Sequence, residues 1–267
     1  MTLPAAGDAR IAEYASVADP DLARRLGLFV AEGRLVVRRL IDDRRYGIRS
    51  ILLSQAAQQQ LGSALERLDP RVPVYVCPTG SFREITGFHI HRGCVAIVER
   101  PPEGDAAALL HEARLVVMLE AIANPDNVGG IFRNAAAFGV DGVILDGASA
   151  DPLYRKAIRT SMGAVLRVPY ARAHWRDVLP AVRASGFTIV ALTPHESAEA
   201  LDRFVERQRP PRVALLLGNE GVGLSDATAA SADVCVRIPM RTDVDSLNVA
   251  VAAGIALARL TRFADVG

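Results

Sequence analysis

Apolar positions in this chain fall into short blocks, and the blocks change character near residue 100. "FVAEGRLVVRRLID" (29–42) spaces its apolar residues as a helix does and ends near Asp42-Asp43. "IRSILLS" and "VPVYVCP" are short apolar runs with polar or proline flanks, the pattern of strands, and "LGSALERL" between them has helical spacing. "HRGCVAIVER" closes the region as another strand, so residues 1–100 read as a small α/β domain. "RPPEGDAAA", from Arg100, breaks all periodicity with two prolines, a glycine and two acids, which places a linker over 101–112.

Beyond the linker the pattern strengthens. "RLVVMLE" is a continuous apolar run, as in a strand buried on both faces. Strands follow at "VDGVIL", "LRVPYA", "FTIVALTP", "PRVALLLGNEG" and "ADVCVRIPM". A loop and helix are predicted within 124–139, and further helices through "YRKAIRTSM", over "HWRDVLPAVRASG" with its glycine stop, and from about Leu247 to Arg262. Strands alternating with helices predict a doubly wound parallel sheet over 113–267.

In such a sheet, ligands bind beyond the carboxyl ends of the strands. Four strand ends carry unusual residues: "LEAIANPDNVGG", "ALTPHES", "LLLGNEGVGLS" and "IPMRTDVDSLN". The glycines at 218, 221 and 223 have neither the spacing nor the place of a dinucleotide fingerprint, and no phosphate loop ending in Gly-Lys-Ser/Thr occurs. That disfavours a nucleotide-dependent oxidoreductase. His89, His91, His111, His174 and His195 form no helical metal pair, and no Gly-x-Ser-x-Gly elbow appears. His89 and His91 alternate and would share one strand face. Cys77, Cys94 and Cys235 lack zinc spacing, sit in apolar stretches and are expected to be buried thiols. No metal is expected.

The net charge is +1, and Lys156 is the one lysine beside thirty arginines. The charge balance is neutral on nucleic acid, although arginine is the better fork for phosphate and the better stacker on bases. No apolar run is long enough to span a bilayer, and "MTLPAAGDAR" lacks a secretory pattern, so a cytoplasmic location is expected.

"NPDNVGGIFRNAAAFG" (124–139), "LLLGNEGVGLS" (215–225) and "IPMRTDVDSLNVAVAAGIAL" (238–257), in this order and each at a strand end, resemble the three motifs of the SpoU (TrmH-type) RNA 2′-O-ribose methyltransferases of the SPOUT class. "FVAEGRLVVRRL" resembles the start of the small RNA-binding domain that precedes many members. The resemblance implies a deep trefoil knot in the C-terminal domain, S-adenosylmethionine as cofactor, an obligate homodimer, and RNA as substrate, ribosomal RNA being favoured over transfer RNA. A non-catalytic RNA-binding protein of the same fold is the alternative; the intact polar residues count against it.

Matched to the motifs, Asn127, Arg133, Glu220, Ser246 and Asn248 are the expected catalytic residues, and Thr193, Gly218, Ile238 and Leu247 the expected cofactor wall. Arg133 is the first choice for the chemistry, as a clamp on an RNA phosphate that stabilises the forming alkoxide. Asn127, Ser246 and Asn248 are also read as helix-capping residues, Glu220 as an anchor of its own loop, and Thr193 as a holder of the turn before Pro194. Thr242 stands where the third motif usually has glycine.

Overall fold

The computed structural model describes residues 11, 13–14, 24–86, 93–207, 210–241 and 243–261; His89, His91 and Thr242 lie outside them. The chain divides into two compact units, one of residues 1–102 with 153–166, the other of 103–152 with 167–267.

Unit 1 is built on a four-stranded sheet of β1 (Leu28–Glu32), β2 (Ile48–Ser54), β3 (Val74–Cys77) and β4 (Cys94–Glu99), in the order β1-β4-β2-β3. β4 pairs antiparallel with β1 and β2, and β2 pairs parallel with β3. Helices α1 (Arg34–Asp43), α2 (Gln55–Leu65) and α3 (Phe82–Thr86) join them. The helical reading of 29–42 was half right. Phe29–Glu32 is buried strand, and Gly33 at φ 97° turns the chain into α1. The apolar spacing of Leu35, Val36, Val37, Leu40 and Ile41 carried the signal, and a fully buried strand has no alternation to oppose it. α2 begins six residues before "LGSALERL", because Ser54 caps it by accepting from the Ala57 N–H at 3.1 Å.

The segment 153–166 carries α6 (Arg155–Thr160) and a 3₁₀ turn (Ala164–Leu166), and packs within unit 1. Arg39 of α1 donates to the Met162 carbonyl, and Tyr46 donates to the Leu166 carbonyl at 3.2 Å.

Unit 2 opens with α4 (Ala106–Glu112), capped by Asp105, where the sequence suggested continuing linker. Its sheet contains β5 (Leu115–Leu119), β6 (Gly142–Leu145), β7 (Tyr170–Arg172), β8 (Thr188–Leu192), β9 (Glu199–Ala200), β10 (Val213–Leu217) and β11 (Val234–Arg237). The order is β7-β6-β5-β10-β8-β11-β9, and every pairing is parallel. β5, β6 and β10 are buried along nearly their whole length, as their unbroken apolar runs required. The helices are α5 (Pro125–Ala137), α7 (Trp175–Ala184), α8 (Leu201–Arg207), α9 (Asp226–Ala230) and α10 (Val249–Leu260). The two-residue β9 and the short α3, α8 and α9 went unread in the sequence; none is long enough to establish a period.

The strand order positions the site. Four adjacent strands, β5, β10, β8 and β11, run parallel, so their carboxyl ends open on one edge. The loops leaving those ends are the four unusual ones singled out above. β10 lies between β5 and β8, which brings the loops at 120–124 and 218–225 side by side although about a hundred residues separate them.

Candidate functional site

Three motifs meet in one hydrogen-bonded seam. Asn124 caps α5 by accepting from the Asp126 N–H at 2.9 Å, and Pro125 takes the first helical position, where a missing N–H is harmless. Asn127 is therefore not the cap. It lies inside the first turn, is 8% exposed, and turns inward. Its Nδ2 donates to Glu220 Oε1 at 2.8 Å, and its Oδ1 accepts from Asn248 Nδ2 at 2.8 Å. Asn248 in turn caps α10, its Oδ1 accepting from the Ala250 and Val251 N–H groups at 3.0 and 3.3 Å.

The polarity of this chain is forced at both ends. An ionised carboxylate only accepts, so Asn127 presents its amino group to Glu220 and its carbonyl to Asn248. Helix N–H groups only donate, so Asn248 gives them its carbonyl and keeps its amino group for Asn127. Each amide orientation satisfies both neighbours. Glu220 also accepts from the Asn124 N–H at 3.4 Å, so it fastens the second motif to the first rather than only bracing its own loop.

The glycine-rich loop is shaped by close approach. A Cβ on Gly218 would lie 2.3 Å from the Leu224 nitrogen and 2.4 Å from the Gly223 carbonyl carbon, so only glycine fits there. Gly223 has φ 75°, and Asn219 and Gly223 exchange backbone hydrogen bonds of 3.0 Å. Asn219 folds the turn from within, its Oδ1 accepting from the Gly221 and Val222 N–H groups and its Nδ2 donating to the Ala121 carbonyl. Ala121 is held at φ 53°, a left-handed conformation that alanine avoids. Glu120, at the end of β5, accepts from the Ser225 N–H at 2.9 Å, Ser225 Oγ at 2.9 Å and Thr228 Oγ1 at 2.5 Å. It closes the far side of the same loop.

Asn219 and Glu120 were missed in the sequence. Glu120 had a readable signal, an acid ending a fully apolar strand at the loop-bearing edge; Asn219 stood inside the quoted motif without being distinguished.

A cavity of about 150 Å³ lies under this loop, lined by Thr193, Gly218, Ile238, Ser246 and Leu247, with Met240 and Asn219. All four residues expected to form a cofactor wall thus share one hollow. Thr193 also holds its turn, Oγ1 accepting from the His195 N–H at 3.3 Å. A second cleft of about 290 Å³ is lined by Asn124, Asn127, Glu220, Ser246, Leu247 and Asn248. Glu220, Ser246, Leu247 and Val249 line both.

Arg133 stands apart. Six residues after Asn127, it is rotated about 240° round α5. It lines neither cavity, is exposed, and makes no hydrogen bond or ion pair among the described residues. The reading of Cys235 as buried is corrected: Cys77 and Cys94 are buried, whereas Cys235 points outward on β11. Among the described residues no group of His, Cys, Asp or Glu is placed to hold a metal ion, and no helix is long and apolar enough to cross a membrane.

Known proteins resemble this chain in sequence and fold. An uncharacterized tRNA/rRNA methyltransferase of Mycobacterium bovis is 41% identical over 91% of this chain and 84% of its own length. An rRNA methyltransferase of Sinorhizobium meliloti solved with AdoMet bound superposes with a TM-score of 0.80 at 26% identity, covering 97% of both chains. The SpoU methyltransferase AviRb of Streptomyces viridochromogenes, in complex with AdoMet, has a TM-score of 0.78 at 25% identity over 95% of this chain and 97% of its own. The model of the SpoU rRNA methylase family matches residues 114–258, which span β5 to α10 and include the whole seam of Asn127, Glu220 and Asn248, and to that family the chain belongs.

Proposed function

We propose that this RNA methyltransferase transfers a methyl group from S-adenosylmethionine to a ribose 2′-hydroxyl of folded RNA in the cytoplasm, ribosomal RNA before transfer RNA. The observation that carries the reading is the seam of Asn127, Glu220 and Asn248 beside a cavity whose wall is Thr193, Gly218, Ile238 and Leu247.

The cavity fits the cofactor by its chemistry. Ile238, Leu247 and Met240 offer apolar surface for a purine, and the glycine loop brings backbone groups close without side chains between. When bound, S-adenosylmethionine supplies an electrophilic methyl on a sulfonium that becomes neutral in the transfer. A bare anion beside it would hold the charged reactant back. The one carboxylate shared by the two clefts, Glu220, already has its charge engaged by the Asn127 amide and the Asn124 N–H. Positioning is then the main source of rate, worth roughly 7–11 kcal/mol where two bound reactants are well aligned. Ser246 and Asn248 face the second cleft and orient the ribose there; the Asn127–Glu220 link fixes the distance between the two clefts.

Arg133 enters from a second copy of the chain. That it has no hydrogen bond or ion pair among the described residues supports this. So does the exposed apolar stripe of Val251 and Ile255 on α10, 52% and 38% exposed and one turn apart, with Ala136 and Ala137 exposed on α5. The guanidinium grips a phosphate next to the target nucleotide and stabilises the oxyanion as the hydroxyl loses its proton. Guanidinium itself is too weak an acid to serve as a plain base. We take the trefoil knot implied by the motifs to accompany the insertion of β10 between β5 and β8. Diluting the protein until it is monomeric should abolish turnover; a fully active monomer contradicts the composite site.

The deciding experiment is incubation with cellular RNA and methyl-labelled cofactor, followed by mapping of alkali-resistant linkages. A methylated 2′-oxygen cannot attack the adjacent phosphate, so the modified nucleotide reports itself. Label that is released as a methylated base, with every linkage cleaved, rules out the ribose.

A further inference from the structure

Glu32 is an odd residue to end a strand. Its side chain is 0% exposed, and a buried carboxylate is tolerated only with partners. Arg155 Nη1 lies 3.4 Å from its Oε2, and Arg159 Nη1 lies 4.0 Å from its Oε1. Both arginines belong to α6 and sit one turn apart on the same helix face. Both reach the surface. Arg155 keeps 24% and Arg159 46% of its side chain exposed, and Lys156 between them is exposed.

The cations continue onto α1. Arg38 is exposed and donates to the Gln60 carbonyl of α2 at 2.9 Å, with Arg34 one turn before it and Arg39 beside it. Arg39 donates to the Met162 carbonyl, and a Cβ on Gly163, at φ 82°, would meet Val36 at 3.6 Å and the Arg39 stem at 3.8 Å, so α1 and the segment 153–166 are joined. The acids of α1, Asp42 and Asp43, lie at its far end, and Asp42 is already bound by Arg67 at 2.6 Å. Six cations thus stand on α1 and α6, two of them, Arg155 and Arg159, paired with one carboxylate hidden from solvent, in a chain whose net charge is only +1. The large cleft of unit 1, about 620 Å³, lies elsewhere, lined by the opposite end of α1 together with Arg67, Leu68 and Pro70. Cations spread along two joined helices suit several phosphates in a row rather than one small anion.

We propose that α1 and the segment 153–166 form a grip for the phosphodiester backbone of the RNA substrate, with Glu32 as the positioning residue that pre-aims Arg155 and Arg159. This rests on the RNA methyltransferase reading for the source of the RNA. An arginine already held on one side by a carboxylate loses less rotational freedom when a phosphate takes its other side. Lys156 and Arg159 supply charge to the backbone, and Glu32 supplies order.

Two full-length variants test it, with binding of a folded ribosomal RNA fragment followed by fluorescence anisotropy over a salt series. Lys156→Gln with Arg159→Gln removes two exposed cations and leaves Glu32 its nearer partner, Arg155, at 3.4 Å. It is expected to flatten the slope of log K against log salt by about two, near one for each phosphate no longer neutralised. It should raise the KM for RNA several-fold with kcat and cofactor affinity unchanged. Glu32→Gln is the sharper probe, because it removes a negative charge. Attraction by net charge alone makes it bind RNA more tightly; the positioning role makes it bind several-fold more weakly. Equal salt slopes in the wild type and the double variant overturn the grip, and Glu32→Gln binding as tightly as wild type or better overturns the positioning role. Binding is read apart from methylation, so an enzyme that modifies a base instead of a ribose leaves both comparisons standing.

Discussion

Replacing Asn127 by aspartate changes one amino group to an oxygen and almost nothing in volume, yet it reverses the polarity of the seam. The Asn127 Nδ2 to Glu220 Oε1 distance is 2.8 Å, so Asn127→Asp sets two carboxylate oxygens face to face. At an effective dielectric constant of about 20, two unit charges at that separation repel by roughly 6 kcal/mol. The pair avoids this by sharing a proton, and the carboxyl pKa of the pair rises. The sign follows. Below the raised pKa the shared proton restores a donor–acceptor link, and the loop stays in place. As pH rises through it, the link is lost. The loss includes a hydrogen bond to a charged group, about 2 kcal/mol, or roughly 30-fold in an equilibrium constant. Titration calorimetry with S-adenosylmethionine at about pH 5 and about pH 8 reads the effect directly, with Asn127→Ala as a control that loses the link at both. Asn248→Asp gives a second control. It keeps the α10 cap, since aspartate caps well, but loses the donation to Asn127. If Asn127→Asp binds cofactor like the wild type at about pH 8, or weakens equally at both values, the seam does not hold the glycine loop.

Arg133→Ala is expected to leave cofactor affinity unchanged while kcat falls about 10²-fold or more; near wild-type turnover removes it from the chemistry. Ala121 at φ 53° carries strain, so Ala121→Gly should melt no lower than wild type, and Ala121→Val, β-branched in a left-handed position, should cost about 2 kcal/mol in a denaturant titration. One thiol should react fast with an aromatic disulfide reagent, Cys235, and three after unfolding, because Cys77 and Cys94 are buried. Burial also pushes the Cys77 and Cys94 thiols up to about 11 and about 12. The unfolded thiols ionise first, near pH 8.5, so the thiol contribution to stability should be constant below that and fall as pH rises beyond it. A thermal-melt series that improves above about pH 9 contradicts this.

The second unit was largely legible because its strands declare themselves twice. Runs such as "RLVVMLE" and "VALLL" are apolar without interruption, and each ends in residues that no buried strand tolerates. The residues that line the seam and the two clefts were legible for the same reason: Asn, Glu and Ser at strand ends have no business in a core. Their roles were less so. Asn124 and Asn127 both suit a cap, and only the helix start, set by Pro125, decides which one turns inward. Glu32 was invisible, read as part of a helix, because its partners Arg155 and Arg159 lie over a hundred residues on and nothing in local spacing links them. Cys235 was misread because β11 near the sheet's edge exposes one face, while its apolar neighbours suggested burial on both.

Strand order explains why motifs at 124, 218 and 246 had to be read together. Exchanging β8 and β10 would put β8 between β5 and β10. Here β10 is inserted next to β5, and β8 is displaced outward by one place. The carboxyl ends of β5 and β10 then stand one strand spacing apart, about 4.8 Å, which is short enough for the Asn219 amide to reach the Ala121 carbonyl at 2.8 Å and for Glu120 to reach Ser225. With β8 between them the gap would double, beyond the reach of either side chain. The two loops would then move independently, and Ala121 would have no reason to stay left-handed. The strained alanine, the asparagine turn and the Glu120 bonds are therefore one consequence of a single topological choice. Disrupting any of them should loosen the others, which double-variant cycles between Glu120→Gln and Asn219→Ala would register as a coupling well outside additivity.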